Sequence, residues 1–223
     1  MTLLRLRDVG LAFGDVPVLG GVSLHVEEGE FVSLLGPSGA GKSTLFKLLV
    51  GGLAPSRGEI AFDGRPLAQG ERPFAFMPQR DALMPWRRII DNVTLGLEVG
   101  GLPRREARAR VAPLLPSFGL AGFERHWPAQ LSGGMRQRAA LLRTVVQERR
   151  MMLLDEPFGA LDALTRTRMQ RWLEERWAAA RWTTLLITHD VREAVCLSDR
   201  VYVLSPRPGR VVREIEVVSV NEV

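Results

Sequence analysis

The run Gly36-Pro37-Ser38-Gly39-Ala40-Gly41-Lys42-Ser43-Thr44 constrains this chain more than any other segment. It matches GxxxxGK[ST], a glycine-rich turn that requires a buried strand before it and a helix after it. Both are legible: Phe31 to Leu35 is a short apolar run, and Leu45, Leu48 and Leu49 recur at helical spacing. The glycines let the backbone close around phosphate oxygens. Its N–H groups and the following helix N-terminus supply positive potential. Lys42 is expected to reach the β- and γ-phosphates of a nucleotide, and the Ser43 hydroxyl to ligate Mg²⁺.

Three more apolar runs have the character of buried strands: Met151 to Leu154, Leu185 to Thr188, and Val201 to Leu204. They alternate with helical patterns, which predicts an α/β core with a largely parallel sheet. Leu3 to Val9, Val22 to Glu27, Glu59 to Asp63 and Val211 to Val217 alternate apolar and polar residues, and are expected to be half-buried antiparallel strands beside that core. Residues 82–135 carry no convincing strand run. Ala107, Val111, Leu114, Leu115 and Phe118 fall at helical spacing there, Pro113 and Pro116 end the helix early, and Arg104, Arg105, Arg108 and Arg110 read as a solvated face. Leu164, Met169, Trp172, Leu173 and Trp177 mark another amphipathic helix, with its tryptophans in the core.

Composition narrows the function classes. Among 223 residues, 46% are hydrophobic and 25% charged, which suits a folded globular chain. No apolar run is long enough to cross a bilayer as a helix. Arg5 and Arg7 interrupt the apolar start and argue against a signal peptide. The single cysteine, Cys196, precludes an internal disulfide and fits a reducing compartment. The net charge of +5 comes from arginine, since Lys42 and Lys47 are the only lysines. These arginines are scattered among Asp and Glu, so nucleic acid is not an expected partner.

Two further strings carry chemistry. In Met151-Met152-Leu153-Leu154-Asp155-Glu156 two carboxylates emerge at the C-terminal end of a buried strand, where open α/β sheets place ligands. Asp155 suits a hold on Mg²⁺, and Glu156 suits the general base that polarises attacking water. In Leu131-Ser132-Gly133-Gly134-Met135-Arg136-Gln137-Arg138, Ser132 is a natural N-cap, and the two glycines leave a helix start open to an anion.

Taken together, these motifs resemble the ATP-binding cassette (ABC) ATPases, with Leu131 to Arg138 as their signature. The other landmarks of that family follow in order. Gln79 resembles its Q-loop glutamine, placed to touch the metal and the reacting phosphate. Asp162, in Ala160-Leu161-Asp162, resembles the D-loop, and His189 the switch histidine. Phe13 stands where the family stacks an aromatic on adenine. The likeness spans about Leu3 to Val212. It implies one ABC ATPase domain over 1–223: a RecA-like P-loop core with an antiparallel β subdomain (1–81 and 136–223) and an inserted helical subdomain (82–135). It also implies ATP and Mg²⁺, Asp162 among the nucleotide-binding residues, and a head-to-tail homodimer in which the signature residues Ser132, Gly133 and Gly134 of one copy complete the site of the other.

Ala82-Leu83-Met84-Pro85-Trp86, Asp91-Asn92-Val93, Phe158 to Arg166 and Leu204 to Arg210 resemble the bacterial importers of nitrate, sulfonate and taurine, whose close relatives import a thiamine precursor. That likeness implies an ATPase peripheral to the cytoplasmic face of the membrane, two permease subunits, and a periplasmic or anchored solute-binding protein. The chain stops soon after its last strand, so the long C-terminal regulatory domain of sugar importers is not expected. Trp86 either meets the permease or packs inside the helical subdomain. A soluble ABC ATPase of DNA repair or translation would carry tandem cassettes, zinc modules or coiled-coil insertions, and none is visible. A P-loop kinase or GTPase fits poorly with LSGG and with the lack of an NKxD string.

Overall fold

The computed structural model describes residues 1–68, 71 and 73–217, so the end of the expected domain, 218–223, lies outside the described residues. In chain order the elements are β1 (Thr2–Phe13), β2 (Val16–Glu27), β3 (Phe31–Leu35), α1 (Lys42–Leu49), β4 (Arg57–Phe62), β5 (Arg65–Pro66), β6 (Phe74–Met77), α2 (Ile89–Val93), α3 (Leu95–Val99) and α4 (Arg104–Val111). They continue as α5 (Gly133–Val145), β7 (Met151–Asp155), α6 (Ala163–Ala180), β8 (Thr183–Thr188), α7 (Val191–Leu197), β9 (Arg200–Leu204) and β10 (Val211–Glu216). Single 3₁₀ turns occupy Ala112–Leu114 and Pro128–Gln130.

Two sheets form. One is antiparallel, in the order β2-β1-β4-β5; the other has six strands in the order β10-β9-β3-β8-β7-β6. Within the larger sheet β9, β3, β8, β7 and β6 run parallel, as the alternation of apolar strands and helices predicts. Pleating explains why these strands are apolar on both faces. Met151 and Leu153 of β7 and Leu185 and Ile187 of β8 pack with α1 and the antiparallel sheet. Met152, Leu154 and Leu186, one residue out of phase, pack with α2, α4 and α5. The larger sheet thus separates two cores. Phe46, fully buried on α1, anchors the first, where burial of such a ring contributes about 1.5–3 kcal/mol.

Three expectations need correction. Val211 to Glu216 is antiparallel as expected, pairing with β9 at the edge of the larger sheet, but its side chains are mostly exposed and not half-buried. The strand Phe74–Met77 is an addition, since four residues are too few to show a period. Leu164 is 82% exposed, one turn outside the buried stripe of Met169 and Leu173. Arg104 and Arg108 are not merely a solvated face: both grip the buried Asp91 carboxylate, at 2.8 and 2.6 Å. Burial alone would raise the Asp91 pKa, but these two guanidiniums hold it below the usual carboxylate range.

As expected, residues 82–135 contain no strand among the described residues, and α4 stops at Val111 just ahead of Pro113. Met152, Leu154 and Leu186 bury Val93, Leu97, Ala107 and Val111 of this region in one continuous core. No described helix is long and apolar enough to cross a membrane.

Candidate nucleotide site

The loop from Gly36 to Gly41 joins the end of β3 to the start of α1. Gly41 has φ +93, and a Cβ there would sit 2.7 Å from Leu19 Cδ2. Only glycine lets the loop turn into α1 while touching β2. Pro37, Ser38 and Gly39 are exposed, Ala40 and Gly41 buried, and Gly36, Ser43 and Thr44 half-buried. The loop therefore shows its tip to solvent and hides its root. Lys42 is buried, and its ammonium donates to the carbonyls of Gly36 at 2.6 Å and Pro37 at 2.9 Å. Burial lowers the Lys42 pKa, while the Glu156 and Asp155 charges oppose that shift.

Asp155 ends β7 and is 4% exposed. Burial raises its pKa, partly offset by a hydrogen bond from Ser43. Its Oδ1 is buried without a hydrogen-bond partner. An acceptor-only oxygen left unpaired in this way costs free energy unless a donor or cation completes it. Beside Ser43, it suits a hard divalent ion such as Mg²⁺.

Glu156 follows in the left-handed region at φ +49, a conformation that costs a non-glycine residue on the order of 1–3 kcal/mol and clusters at functional sites. Two hydrogen bonds hold it there. Its N–H donates to Ile187 O at 2.9 Å, and its carbonyl accepts from Gln137 Nε2 at 3.3 Å. The turn aims the carboxylate into a cluster. Glu156 Oε2 accepts from Gln79 Nε2 at 3.2 Å and lies 3.4 Å from His189 Nδ1. Gln79 leaves β6 and His189 leaves β8, so neighbouring parallel strands deliver all three groups at their C-terminal ends.

The other expected residues lie elsewhere. Ser132 caps α5, its hydroxyl accepting from Met135 N at 3.2 Å, and is exposed with Gly133. Gly134 is half-buried against Leu161, with Ala160 O close by. Asp162 caps α6, accepting from Thr165 N at 3.0 Å, and that bond holds its carboxyl below the usual range. Phe13 ends β1 at the turn into β2 and is 51% exposed. Among the described residues, no hydrogen bond joins Ser132, Gly133, Gly134, Asp162 or Phe13 to the cluster around Lys42 and Glu156.

Two residues escaped sequence reasoning. Gln137 is buried and positions the Glu156 backbone; its place on the inner face of a helix was the available signal. Asn92 is fully buried, accepts from Met84 N at 2.7 Å and donates to Met84 O and Arg87 O. It staples a turn that leaves Trp86 70% exposed, which excludes the reading of Trp86 as a packed side chain. A buried amide with this many local bonds leaves no period in the sequence.

The family model described as ABC transporter matches residues 19–159. The chain is 45% identical over 96% of its length, and 84% of the relative's, to the taurine import ATP-binding protein TauB of Yersinia pestis bv. Antiqua (strain Antiqua). It is 47% identical to the aliphatic sulfonates import ATP-binding protein SsuB 2 of Pseudomonas aeruginosa (strain UCBPP-PA14), over 90% of this chain and 71% of that one. The fold superposes on the dimeric bacterial ABC transporter cassette MJ0796 with a TM-score of 0.87 and 31% identity, covering 97% of this chain and all of the other. The same cassette in a post-hydrolysis state with ADP and Pi gives 0.86 at 30% identity, covering 97% and 100%. The chain belongs to the ABC transporter ATPase family.

Proposed function

We propose that this chain is the ATP-hydrolysing subunit of a bacterial importer for a small solute of the taurine, sulfonate, nitrate or thiamine-precursor kind. One observation carries the reading: a buried lysine in a phosphate loop faces two carboxylates, and the second carboxylate is aimed by backbone strain at Gln79 and His189. Lys42 and the loop N–H groups of Gly36 to Thr44 neutralise the β- and γ-phosphates of ATP. Phe13 offers an exposed ring to adenine. Ser43, Gln79 and Asp155 would hold Mg²⁺, which when bound screens phosphate charge and polarises the γ-phosphoryl group. Glu156 accepts the proton of the attacking water, Gln79 orients that water, and His189 steadies the Glu156 carboxylate and the leaving phosphate.

Ser132, Gly133, Gly134 and Asp162 are exposed or half-exposed on helix starts away from this cluster, which supports their serving a second copy's nucleotide in a head-to-tail dimer. Residues 1–81 and 136–223 form the core and β subdomain, and 82–135 the helical subdomain. The Trp86 turn presents an aromatic anchor to two permease subunits, at the cytoplasmic face of the membrane, where a periplasmic or anchored solute-binding protein delivers cargo. Mg²⁺-dependent ATP turnover by the purified chain, lost in Lys42→Ala, tests the ATPase reading. Solute uptake by vesicles that contain a partner permease assembled with this chain tests the importer. No Lys42-dependent turnover would overturn both.

A further inference from the structure

We propose that Glu193 and Thr188 are positioning residues for hydrolysis, together fixing the segment from which His189 reaches Glu156. The inference rests on the ATPase reading above and concerns a buried carboxylate to which that chemistry assigns no role. Glu193 lies on α7 and is 5% exposed. Burying a carboxylate is costly unless it is hydrogen-bonded, and here one bond leads to the histidine segment and the other to α6. One Glu193 oxygen accepts from Thr188 Oγ1, and the other from Gln170 Nε2 at 3.0 Å. Thr188 ends β8, immediately before His189, and is 1% exposed. While donating to Glu193, the Thr188 hydroxyl also accepts from Asp190 N at 3.1 Å. One hydroxyl therefore spans His189, tying its preceding side chain to its following backbone.

The other flank is held from α6. Arg166 and Gln170 are four residues apart and so share a face of that helix. Gln170 holds Glu193, while Arg166 lies 3.6 Å from the Asp190 carboxylate and donates to Leu161 O at 3.3 Å. The His189 ring itself is largely exposed, so its direction toward Glu156 Oε2 is set by its backbone and not by packing around the ring. Burial pushes the Glu193 carboxyl upward, and the Thr188 and Gln170 bonds oppose that shift, as expected for an acceptor whose two donors are fixed. A side chain kept only for packing would be replaced at less cost by an apolar one.

The test is steady-state ATP turnover by the purified full chain with Mg²⁺. Thr188→Val removes the hydroxyl and keeps the shape. It should lower kcat roughly 10- to 100-fold, the scale of a small misplacement of a catalytic group. KM for ATP should stay within about twofold, because the phosphate loop is untouched, and Tm within about 4 °C. Thr188→Ser should restore most of kcat. Glu193→Gln should lower kcat in the same direction, and the double variant should lose less than the sum of the two, since they share one bond. If Thr188→Val does not fold, Glu193→Gln carries the test: its kcat should fall while KM stays within about twofold and Tm within about 4 °C. Full kcat in a folded Thr188→Val chain, additive losses, or kcat falling in step with Tm would each overturn the inference while turnover still depends on Lys42. Absence of Lys42-dependent turnover in the unmodified chain would overturn the ATPase reading, and the inference with it.

Discussion

The two helix-bearing loops that carry this family's motifs differ in kind. Around Lys42 the groups are mutually bonded, and several are buried: Lys42 to loop carbonyls, the half-buried Glu156 to the exposed Gln79, and the buried Gln137 to the Glu156 carbonyl. Around Ser132 the groups cap their own helix and face solvent. The first arrangement stores cost: an unpaired buried Asp155 oxygen and a left-handed glutamate. The second stores almost none. On the proposed reading, one chain holds the half of a site that does chemistry and presents the other half outward. The difference then teaches that cost is concentrated where a ligand would relieve it, while a surface offered to a partner is built cheaply and locally.

Substitutions should fall on the two halves unequally. Lys42→Ala is expected to take turnover to background, because backbone N–H groups alone leave phosphate charge uncompensated; an ATPase assay checks it. Glu156→Gln should lower kcat roughly 10²- to 10⁴-fold and keep ATP binding, since the amide retains shape and loses the base. Size exclusion with ATP should then show accumulated dimer. Asp155→Asn should separate stability from function. In the folded chain burial raises the Asp155 pKa, so its contribution to stability is fully present at acid pH and is lost as pH rises through that raised value. The variant lacks that loss, so its Tm advantage over the ligand-free parent should grow with pH while Mg²⁺-dependent turnover disappears; an equal or smaller advantage at neutral pH would break the account. Trp86→Ala should have the smallest effect on the isolated chain, within about 0.5 kcal/mol of stability, as an exposed site does. Its cost, of about 2 kcal/mol, should fall on permease binding measured with the assembled transporter.

What could be read from sequence follows the same division. Parallel strands announce themselves because both faces are buried, so Phe31 to Leu35 and Met151 to Leu154 stood out as runs. The phosphate loop and the Asp155-Glu156 pair were legible because their chemistry dictates residue types at fixed spacing. Phe74 to Met77 was missed because four residues beside a motif show no period. The sheet that β10 joins was not legible, since alternation says nothing about which edge is free. The Asp91 clamp by Arg108, and the Asn92 staple under Trp86, depend on contacts across 17 and 8 residues that helical periodicity does not encode. The grouping of Gln79 and His189 on Glu156 came from motif order by resemblance, and the distances supply its physical basis.

The central claim is that a working site is made from the finished half of one chain and the presented half of another. Gly134→Asp isolates the presented half. A Cβ at Gly134 would meet Leu161 Cδ2 at 3.4 Å, an ordinary contact, so the side chain fits. An acidic residue in the first turn of α5 also favours the helix by roughly 0.3–1 kcal/mol, so the variant should be no less stable than its parent. Its charge would nevertheless repel a partner's γ-phosphate, and turnover should fail. The measurement is to mix Gly134→Asp chains with Lys42→Ala chains, each inactive alone, and assay ATP turnover in confirmed mixed dimers. Such a dimer has one site carrying both lesions and one carrying neither, so the account predicts that part of the parental activity returns. Mixed dimers that stay inactive would mean either that each chain builds its own site or that both shared sites must be intact; Gly134→Asp chains that hydrolyse ATP normally on their own would contradict the account.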